Sequence, residues 1–263
     1  MSSLLDSMMD AARLAGAGLR NDFARARELA VEEKGASDFV SNADLASQAL
    51  IERELRRNFP EAVLVLEEER SSHTLSGALR FYVDPLDGTT NFLHAIPHFS
   101  ISIAGERDGE LVAGVVYDVV KDELFAGERG GGAWLNGRRL SVSSESRLDR
   151  AVVGTGVPHR GRLAHAEYLS VLPRIMADFA GIRRFGSAAL DLAYVAAGRF
   201  DAFFESHLSP WDIAAGVVLV REAGGVVLKP NGSAFELAAG HVLACNEALR
   251  APMCERLSGL IQQ

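Results

Sequence analysis

The sequence has few cysteines and a shortage of basic residues, and both features exclude classes of protein. Its two cysteines, Cys245 and Cys254, stand in no CxxC or Cys/His spacing that suits zinc, so we predict free thiols. Lys and Arg number 27 against 35 Asp and Glu, which gives a net charge of −8. Binding to a nucleic-acid backbone needs clustered positive charge, so no nucleic-acid partner is expected.

Long apolar runs are also missing. The longest, at residues 213–220, is too short to cross a bilayer, and residues 1–20 lack the continuous apolar core of a signal peptide. We therefore predict a cytoplasmic protein with no membrane partner. The hydrophobic fraction is 48%, and 263 residues suffice for one large domain or two closely packed halves.

Apolar patterns predict two halves of different architecture. Alternating segments near 99–106, 111–116, 123–126 and 133–135, with an Asn-Gly hairpin turn, predict a mostly antiparallel sheet in an α+β half at residues 1–148. Alternating strands and helices then predict an α/β half at residues 149–263, joined without a linker. Two amphipathic helices are predicted ahead of the sheet, with apolar stripes of Leu4, Leu5, Met8, Met9, Ala12 and Ala15 and of Leu45, Ala49, Ile51 and Leu55.

Acidic residues are concentrated at the ends of predicted strands. Residues 81–83 are typical of the end of a buried strand, and Asp84 and Asp87 follow it with Pro85 between them. Pro85 fixes its own φ and favours an extended backbone at the residue before it, which holds the two carboxylates near one point. Carboxylates this close repel each other unless a cation lies between them, and such hard oxygen ligands suit Mg²⁺.

The segment after these two acids favours anion binding. Gly88 permits a close backbone approach, and residues 89–91 favour a helix start, whose unpaired N–H groups attract phosphate. Metal ligands beside a phosphate site are what metal-assisted phosphate hydrolysis needs. The alternative interpretation is an ordinary Asp-Pro turn followed by a helix cap.

A second strand end also carries acids. Residues 62–66 predict a buried strand, which is followed by Glu67, Glu68 and Glu69. Open α/β sheets bind ligands at the carboxyl ends of their strands, although three consecutive Glu residues are also typical of a solvated charge run. The His94 and His98 pair, by contrast, predicts surface or substrate-rim residues, since the nearby candidate ligands are all oxygen atoms.

Two motifs carry a resemblance to a known family. Residues 84–92, DPLDGTTNF, resemble the signature of the inositol monophosphatase family, and residues 211–216, WDIAAG, followed by EAGG, resemble its second signature. Two motifs in this order are far more specific than either alone. The resemblance runs from about Lys34 to Asn246 and implies a layered αβαβα sandwich of the sugar-phosphatase type.

The resemblance also implies roles for individual residues. It implies Mg²⁺ ligands at Glu67, Asp84, the Leu86 carbonyl, Asp87 and Asp212, with Glu68 as the alternative to Glu67. It implies a catalytic group of Asp44, Thr89 and Glu67, in which Asp44 and Thr89 orient the attacking water; the alternative for Asp44 is a helix cap. It places Lys34 and Asp38 at the periphery. It implies substrate contacts from Asp87, Gly88, Thr89, Arg184, Ser187, Ala188 and Glu205.

The expected function is Mg²⁺-dependent hydrolysis of a small phosphate monoester, inositol monophosphate first, by a metal-activated water without a phosphoenzyme. A carboxylate such as Glu205 suits the hydroxyls of a phosphorylated polyol, and it also suits the ammonium group of an amino-alcohol substrate. Histidinol-phosphate phosphatase is therefore one alternative, and a binding or regulatory protein of the same fold is another. The resemblance further implies a homodimer.

Overall fold

The structure is a computed structural model that describes residues 3–25, 31–35, 38–68, 79–158 and 165–261, with the backbone alone at 31–41. The side chains of Lys34, Asp38 and Glu69 lie outside this description. The helices are α1 Ser3–Phe23, α2 Asn42–Asn58, α3 Thr89–Leu93, α4 His165–Asp178, α5 Ala188–Ala196, α6 Pro210–Glu222 and α7 Glu247–Arg256. The strands are β1 Val31–Gly35, β2 Asp38–Ser41, β3 Val63–Leu66, β4 Leu79–Asp87, β5 Ser100–Arg107, β6 Glu110–Asp118, β7 Glu123–Glu128, β8 Gly132–Leu135, β9 Arg138–Arg139, β10 Val152–Thr155, β11 Gly181–Arg183, β12 Ala202–Glu205, β13 Val226–Leu228 and β14 Val242–Cys245.

Two large sheets organise these elements. One has seven strands in the order β3-β4-β5-β6-β7-β8-β9, and its pairs are antiparallel except for β3 with β4. The other has five strands in the order β11-β10-β12-β14-β13, with β10 parallel to both β11 and β12. The predicted mostly antiparallel first sheet and mixed α/β second half are confirmed.

Helices cover the sheets in layers because side chains alternate along each strand. On β4, Phe81 and Val83 pack into a core with α1 and α2, whereas Tyr82 points to the opposite face and packs with α5 and α6. The far side of α5 and α6 packs on the five-stranded sheet through Phe203 and Ala244. Helices α4 and α7 cover the outer face of that sheet. This gives the αβαβα order, while the division at residue 148 stays a prediction.

The predicted helix stripes differ in outcome. All six stripe residues of α1 are buried in the core. On α2, Ile51 and Leu55 are buried, but Leu45 is 49% exposed and Ala49 is also exposed, so that half of the stripe is wrong. The inward face instead continues through Ser47, whose buried hydroxyl donates a 2.8 Å hydrogen bond to the Pro85 carbonyl. A polar contact with the end of β4 therefore sets the rotation of this helix. No described helix is long and apolar enough to cross a membrane.

His98 is half-buried in an aromatic cluster. Its ring lies 5.0 Å from that of Phe185 and 6.0 Å from that of Tyr194, whereas His94 is exposed. Burial, and then the charge of Lys121, lower the pKa of His98 to about 4. The expected surface position is confirmed for His94, whereas His98 is half-buried by its aromatic neighbours.

The sheet and the central helices approach closely at Gly114 on β6. A Cβ atom at this position would lie 2.5 Å from the carbonyl oxygen of Ala215 on α6. That neighbour is backbone inside a helix, so it cannot rotate away as a flexible side chain could. The glycine therefore sets the distance between the two layers.

We expect Gly114→Ala to lower the free energy of unfolding by about 2 kcal/mol or more, because overpacking forces the α6 backbone to shift. Gly18→Ala is the matched control. It lies within α1, and the nearest atom to its added Cβ is 3.9 Å away, so it should stabilise by about 0.5–1 kcal/mol. Urea unfolding of both variants measures the difference; equal stabilities would contradict the close contact.

A second expectation concerns pH. The unfolded chain takes up a proton on His98 below a pKa of about 6.5, while the folded protein stays neutral at this ring down to about 4. Stability from this residue is therefore lost as the pH falls from about 6.5 to about 4, by about 2 kcal/mol at pH 5. The variant His98→Phe keeps an aromatic ring and should lose less stability over this range than the wild type. The exposed variant His94→Gln is the control, and identical pH profiles for the wild type and His98→Phe would contradict the assignment.

Candidate active site

A bulge at the end of β4 brings two acids to one side of the sheet. Asp84 pairs with Ser102 of β5, and Asp87 pairs with Ser100, so β4 contains one more residue than its partner over this step. In a regular strand, residues three apart would face opposite sides; the extra residue reverses that. Pro85 lies inside the bulge, where a strand tolerates proline. Both carboxylates therefore face the layer that contains α5 and α6.

Gly88 makes the turn from β4 into α3. Its φ is +98°, in the left-handed region, and an added Cβ would lie 3.2–3.3 Å from the backbone of His98 and Phe99. Glycine is thus required by both conformation and space. Helix α3 begins at Thr89, as the sequence predicts, and Phe92 N–H donates to the Gly88 carbonyl. The N–H groups at the start of α3 lie beside the two acids.

One cavity of about 430 Å³ is lined by predicted residues from both halves of the chain. The predicted residues that line it are Glu67, Asp84, Leu86, Asp87, Gly88, Thr89, Arg184, Ser187, Ala188, Glu205 and Asp212. Among the predicted site residues, Asp44 is the one that does not line the cavity; it is buried and accepts a hydrogen bond from Thr89, which does. Glu68, the alternative to Glu67, is not among the lining residues, and its backbone N–H bonds the side chain of Gln48.

Burial and mutual repulsion dominate the electrostatics of these acids. The pKa of Asp84 is raised well above its ordinary value by burial, and then by the charges of Glu67, Asp87 and Asp212. Burial also raises the pKa of Asp87, to about 6, although hydrogen bonds from Ser187 and from backbone amides oppose the rise. Gathered carboxylates in a dry site are costly without a cation. The site therefore suits a positively charged ligand.

In each of three of these carboxylates, one oxygen accepts hydrogen bonds from the protein. Asp84 Oδ1 accepts from the Leu86 N–H at 2.9 Å. Asp87 Oδ2 accepts from the Ser187 hydroxyl at 2.6 Å and from the Ala189 N–H at 2.9 Å. Asp212 Oδ2 accepts from the Ser209 N–H at 2.7 Å at the start of α6.

The donor set fits a hard divalent cation by its chemistry, since it consists of carboxylates and a main-chain carbonyl. Among the described side chains, no three His, Cys, Asp or Glu residues already stand as a ready-made metal-binding group. Binding a cation would draw together carboxylates that already share this cavity.

Thr89 and Asp44 form the predicted pair. The Thr89 Oγ1 atom lies 3.1 Å from Asp44 Oδ1 and 3.0 Å from the Leu86 carbonyl oxygen, so its single proton is donated to one of these two acceptors. Asp44 is fully buried, and α2 begins two residues earlier at Asn42. It is therefore the third residue of α2, within the first turn, and does not precede the helix.

Ser187 and Arg184 approach from the other half of the chain. Ser187 is buried, caps α5 by accepting from the Leu190 N–H, and donates its proton to Asp87. Arg184 is exposed at the rim, and its charge lowers the pKa of Asp87. Glu205, at the end of β12, lies against Gly156, where any side chain would overlap its carboxylate.

Sequence reasoning missed several residues that line the cavity: Thr155, Tyr168, Asp191, Ser206 and His207. For Asp191 a signal was present, because it is the one charged residue in the apolar helix sequence AALDLAYVA. The others come from strand ends and loops whose position depends on the assembled sheet. Asn91 was counted only as part of a helix start, yet its side chain donates at 2.8 Å to the carbonyls of both His98 and Phe185 and so joins the two halves.

The chain is similar to known proteins over nearly its whole length. The family model described as "Inositol monophosphatase family" matches residues 1–262. An inositol-1-monophosphatase from Rhizobium meliloti (strain 1021) is 49% identical over 97% of this chain and 96% of that protein. The Nus factor SuhB of Escherichia coli (strain K12) is 39% identical over 100% of both chains. The crystal structure of the extragenic suppressor protein suhB from Bartonella henselae superposes with a TM-score of 0.94, at 45% identity, over 99% of this chain and 100% of that chain. The chain therefore belongs to the inositol monophosphatase family of phosphoric monoester hydrolases.

Proposed function

We propose that this protein hydrolyses inositol monophosphate, and similar small phosphate monoesters, in a Mg²⁺-dependent reaction with water. The observation that carries the proposal is the shared cavity, which is lined by acids from five separate segments and by the start of α3. A relative of nearly the same length that is 49% identical is named inositol-1-monophosphatase, which supports the substrate.

The family resemblance suggests which residues would hold the metal. Glu67, Asp84 and the Leu86 carbonyl would hold one Mg²⁺, and Asp84, Asp87 and Asp212 a second. When bound, such ions lower the pKa of water, neutralise phosphate charge and stabilise the leaving oxygen. The acids themselves supply only negative charge, so an anionic substrate depends on that neutralisation.

The chain's own residues orient the reactants. When Thr89 donates its proton to the buried carboxylate of Asp44, a lone pair of the hydroxyl oxygen can accept a proton from the attacking water. Backbone N–H groups of Gly88 and Thr89 bind the phosphate at the start of α3. No Ser, Cys or His nucleophile takes part, so we propose direct attack by water.

Glu205 would bind the alcohol part of the substrate. Its carboxylate accepts hydrogen bonds from the hydroxyls of a polyol or from the ammonium group of an amino alcohol, and it lines the same cavity as the metal ligands. Arg184 and the backbone around Ser187 and Ala188 would complete the contact.

The proposal also includes the state of the protein in the cell. We propose a cytoplasmic homodimer without nucleic-acid or membrane partners.

A regulatory role is the second candidate. It is favoured by one observation, that relatives named Nus factor SuhB align with this chain over 100% of both lengths. Such a role requires the fold and a surface but does not require turnover. It can therefore be separated from the catalytic proposal by a variant that is folded and inactive.

We expect Asp87→Asn to lower kcat/KM for inositol 1-phosphate by about 10²–10⁴-fold, because loss of a metal ligand removes several kcal/mol of transition-state stabilisation. The melting temperature should stay the same or rise, since the change removes a buried charge that also repels Asp84. Phosphate release over a Mg²⁺ titration measures the first quantity, and thermal unfolding measures the second.

Asp149→Asn is the control, because it makes the same chemical change at an exposed ion pair with Arg147. Wild-type turnover by Asp87→Asn would remove the proposed metal site. In a strain that lacks the gene, full rescue by the inactive variant would instead favour the regulatory candidate.

The variant Thr89→Val removes the hydroxyl but keeps the shape of the side chain. We expect it to lower kcat by about 10²–10³-fold, in the range of lost proton-transfer groups, with a small change in KM. Thr89→Ser keeps the hydroxyl and should stay within about tenfold of the wild type. Steady-state kinetics at saturating Mg²⁺ tests the pair, and equal rates for the two variants would contradict a role for the Thr89 hydroxyl.

A further inference from the structure

Asp191 lines the cavity, and no step of the proposed reaction uses it. It lies on α5, whose other residues are apolar or aromatic, and it is 1% exposed. Acids this deeply buried are rare unless they are paired. Its presence in this helix therefore needs a reason.

The described residues offer Asp191 no full pairing. Its Oδ1 atom is buried and accepts no hydrogen bond from them. Asp191 is not needed to cap α5, since Ser187 already caps the start of that helix. A buried carboxyl oxygen without a donor costs free energy in the folded protein, so a donor from outside the chain would recover that cost.

Asp191 lines the same cavity as Glu205, Asp87 and Arg184. Burial raises its pKa well above the ordinary value, the charges of Glu205 and Asp87 raise it further, and Arg184 opposes them. Glu205 is the stronger of the two acidic neighbours, and it is the residue proposed to bind the alcohol. Asp191 therefore shares the cavity with the residue proposed to bind the alcohol, and their charges act on each other.

We propose that Asp191 is a specificity-determining residue that accepts a hydrogen bond from the alcohol part of the substrate, beside Glu205. The inference rests on the proposed function and narrows its substrates to phosphate esters whose alcohol carries a further donor. That donor is a hydroxyl or an ammonium group, and both have the same chemistry toward a carboxylate. An ester without a donor leaves the buried oxygen unsatisfied in the complex, and a site of this kind discriminates strongly against such ligands.

Three substrates and two variants test this proposal. Inositol 1-phosphate supplies hydroxyl donors, histidinol phosphate supplies an ammonium group, and cyclohexyl phosphate keeps a six-membered ring without a donor. For Asp191→Leu, we expect kcat/KM to fall by about 10–100-fold on the substrate whose donor contacts Asp191, either inositol 1-phosphate or histidinol phosphate. The fall on cyclohexyl phosphate should be much smaller. Asp191→Asn keeps one acceptor oxygen, so the ratio of kcat/KM on the donor-bearing substrate to kcat/KM on cyclohexyl phosphate should change less than in Asp191→Leu.

Thermal unfolding separates a binding role from a structural one. Asn has nearly the same size and shape as Asp and removes a buried charge, so Asp191→Asn should keep or raise the melting temperature. Asp118→Asn is the matched control outside the cavity. Asp118 is equally buried, but it accepts from Lys121 Nζ and from two backbone amides, so this variant should lower the melting temperature and leave the substrate ratio unchanged.

The outcomes are distinct. A selective loss on inositol 1-phosphate supports contact with a hydroxyl, and a selective loss on histidinol phosphate supports contact with an ammonium group. Equal losses on all three substrates, or a lower melting temperature for Asp191→Asn, would overturn the proposal. If the wild type turns over none of them with Mg²⁺, the proposed function fails. Calorimetric binding of inositol 1-phosphate and cyclohexyl phosphate to the wild type and Asp191→Leu then decides the role of Asp191 alone.

Discussion

The repulsion among buried carboxylates at the end of β4 is the constraint on which the rest of the site depends. The bulge between Asp84 and Asp87 turns both acids to one side, and burial raises the pKa of each. Such a group is unfavourable in an isolated protein, so the surrounding structure must hold it. One oxygen of each carboxylate accepts hydrogen bonds from backbone amides or a serine hydroxyl of the protein. Both residues also line the cavity.

The hydrogen bonds that hold Asp87 come from the other half of the chain. The Ser187 hydroxyl and the Ala189 N–H, both at the start of α5, reach across to it, and Asn91 bonds back to the Phe185 carbonyl. Asp212 arrives on α6, whose close contact with β6 at Gly114 sets its distance from the sheet. Neither half contains the whole cavity. The packing of α5 and α6 between the two sheets is therefore as necessary for function as the acids themselves.

Much of the fold could be predicted from local patterns, and the failures have physical causes. Helix α1 has a regular apolar stripe and buries it as expected, because one hydrophobic face against a sheet determines its rotation. Helix α2 follows its apolar residues only in its second half, since the bond from Ser47 to the Pro85 carbonyl and the pair of Asp44 with Thr89 place polar side chains inward in its first half. His98 was assigned to the surface because the partners that bury it, Phe185 and Tyr194, come from distant segments.

The chemistry of the candidate site was determined by the sequence alone: oxygen ligands, a glycine turn and a helix start occur within one short segment. Their convergence was decided by tertiary structure. Whether Glu67 or Glu68 faces the cavity, whether Asp84 and Asp87 share a side, and whether Asp191 reaches the substrate all depend on strand register and helix packing. Those features come from contacts between residues far apart in sequence, and the local pattern around each residue carries no record of them.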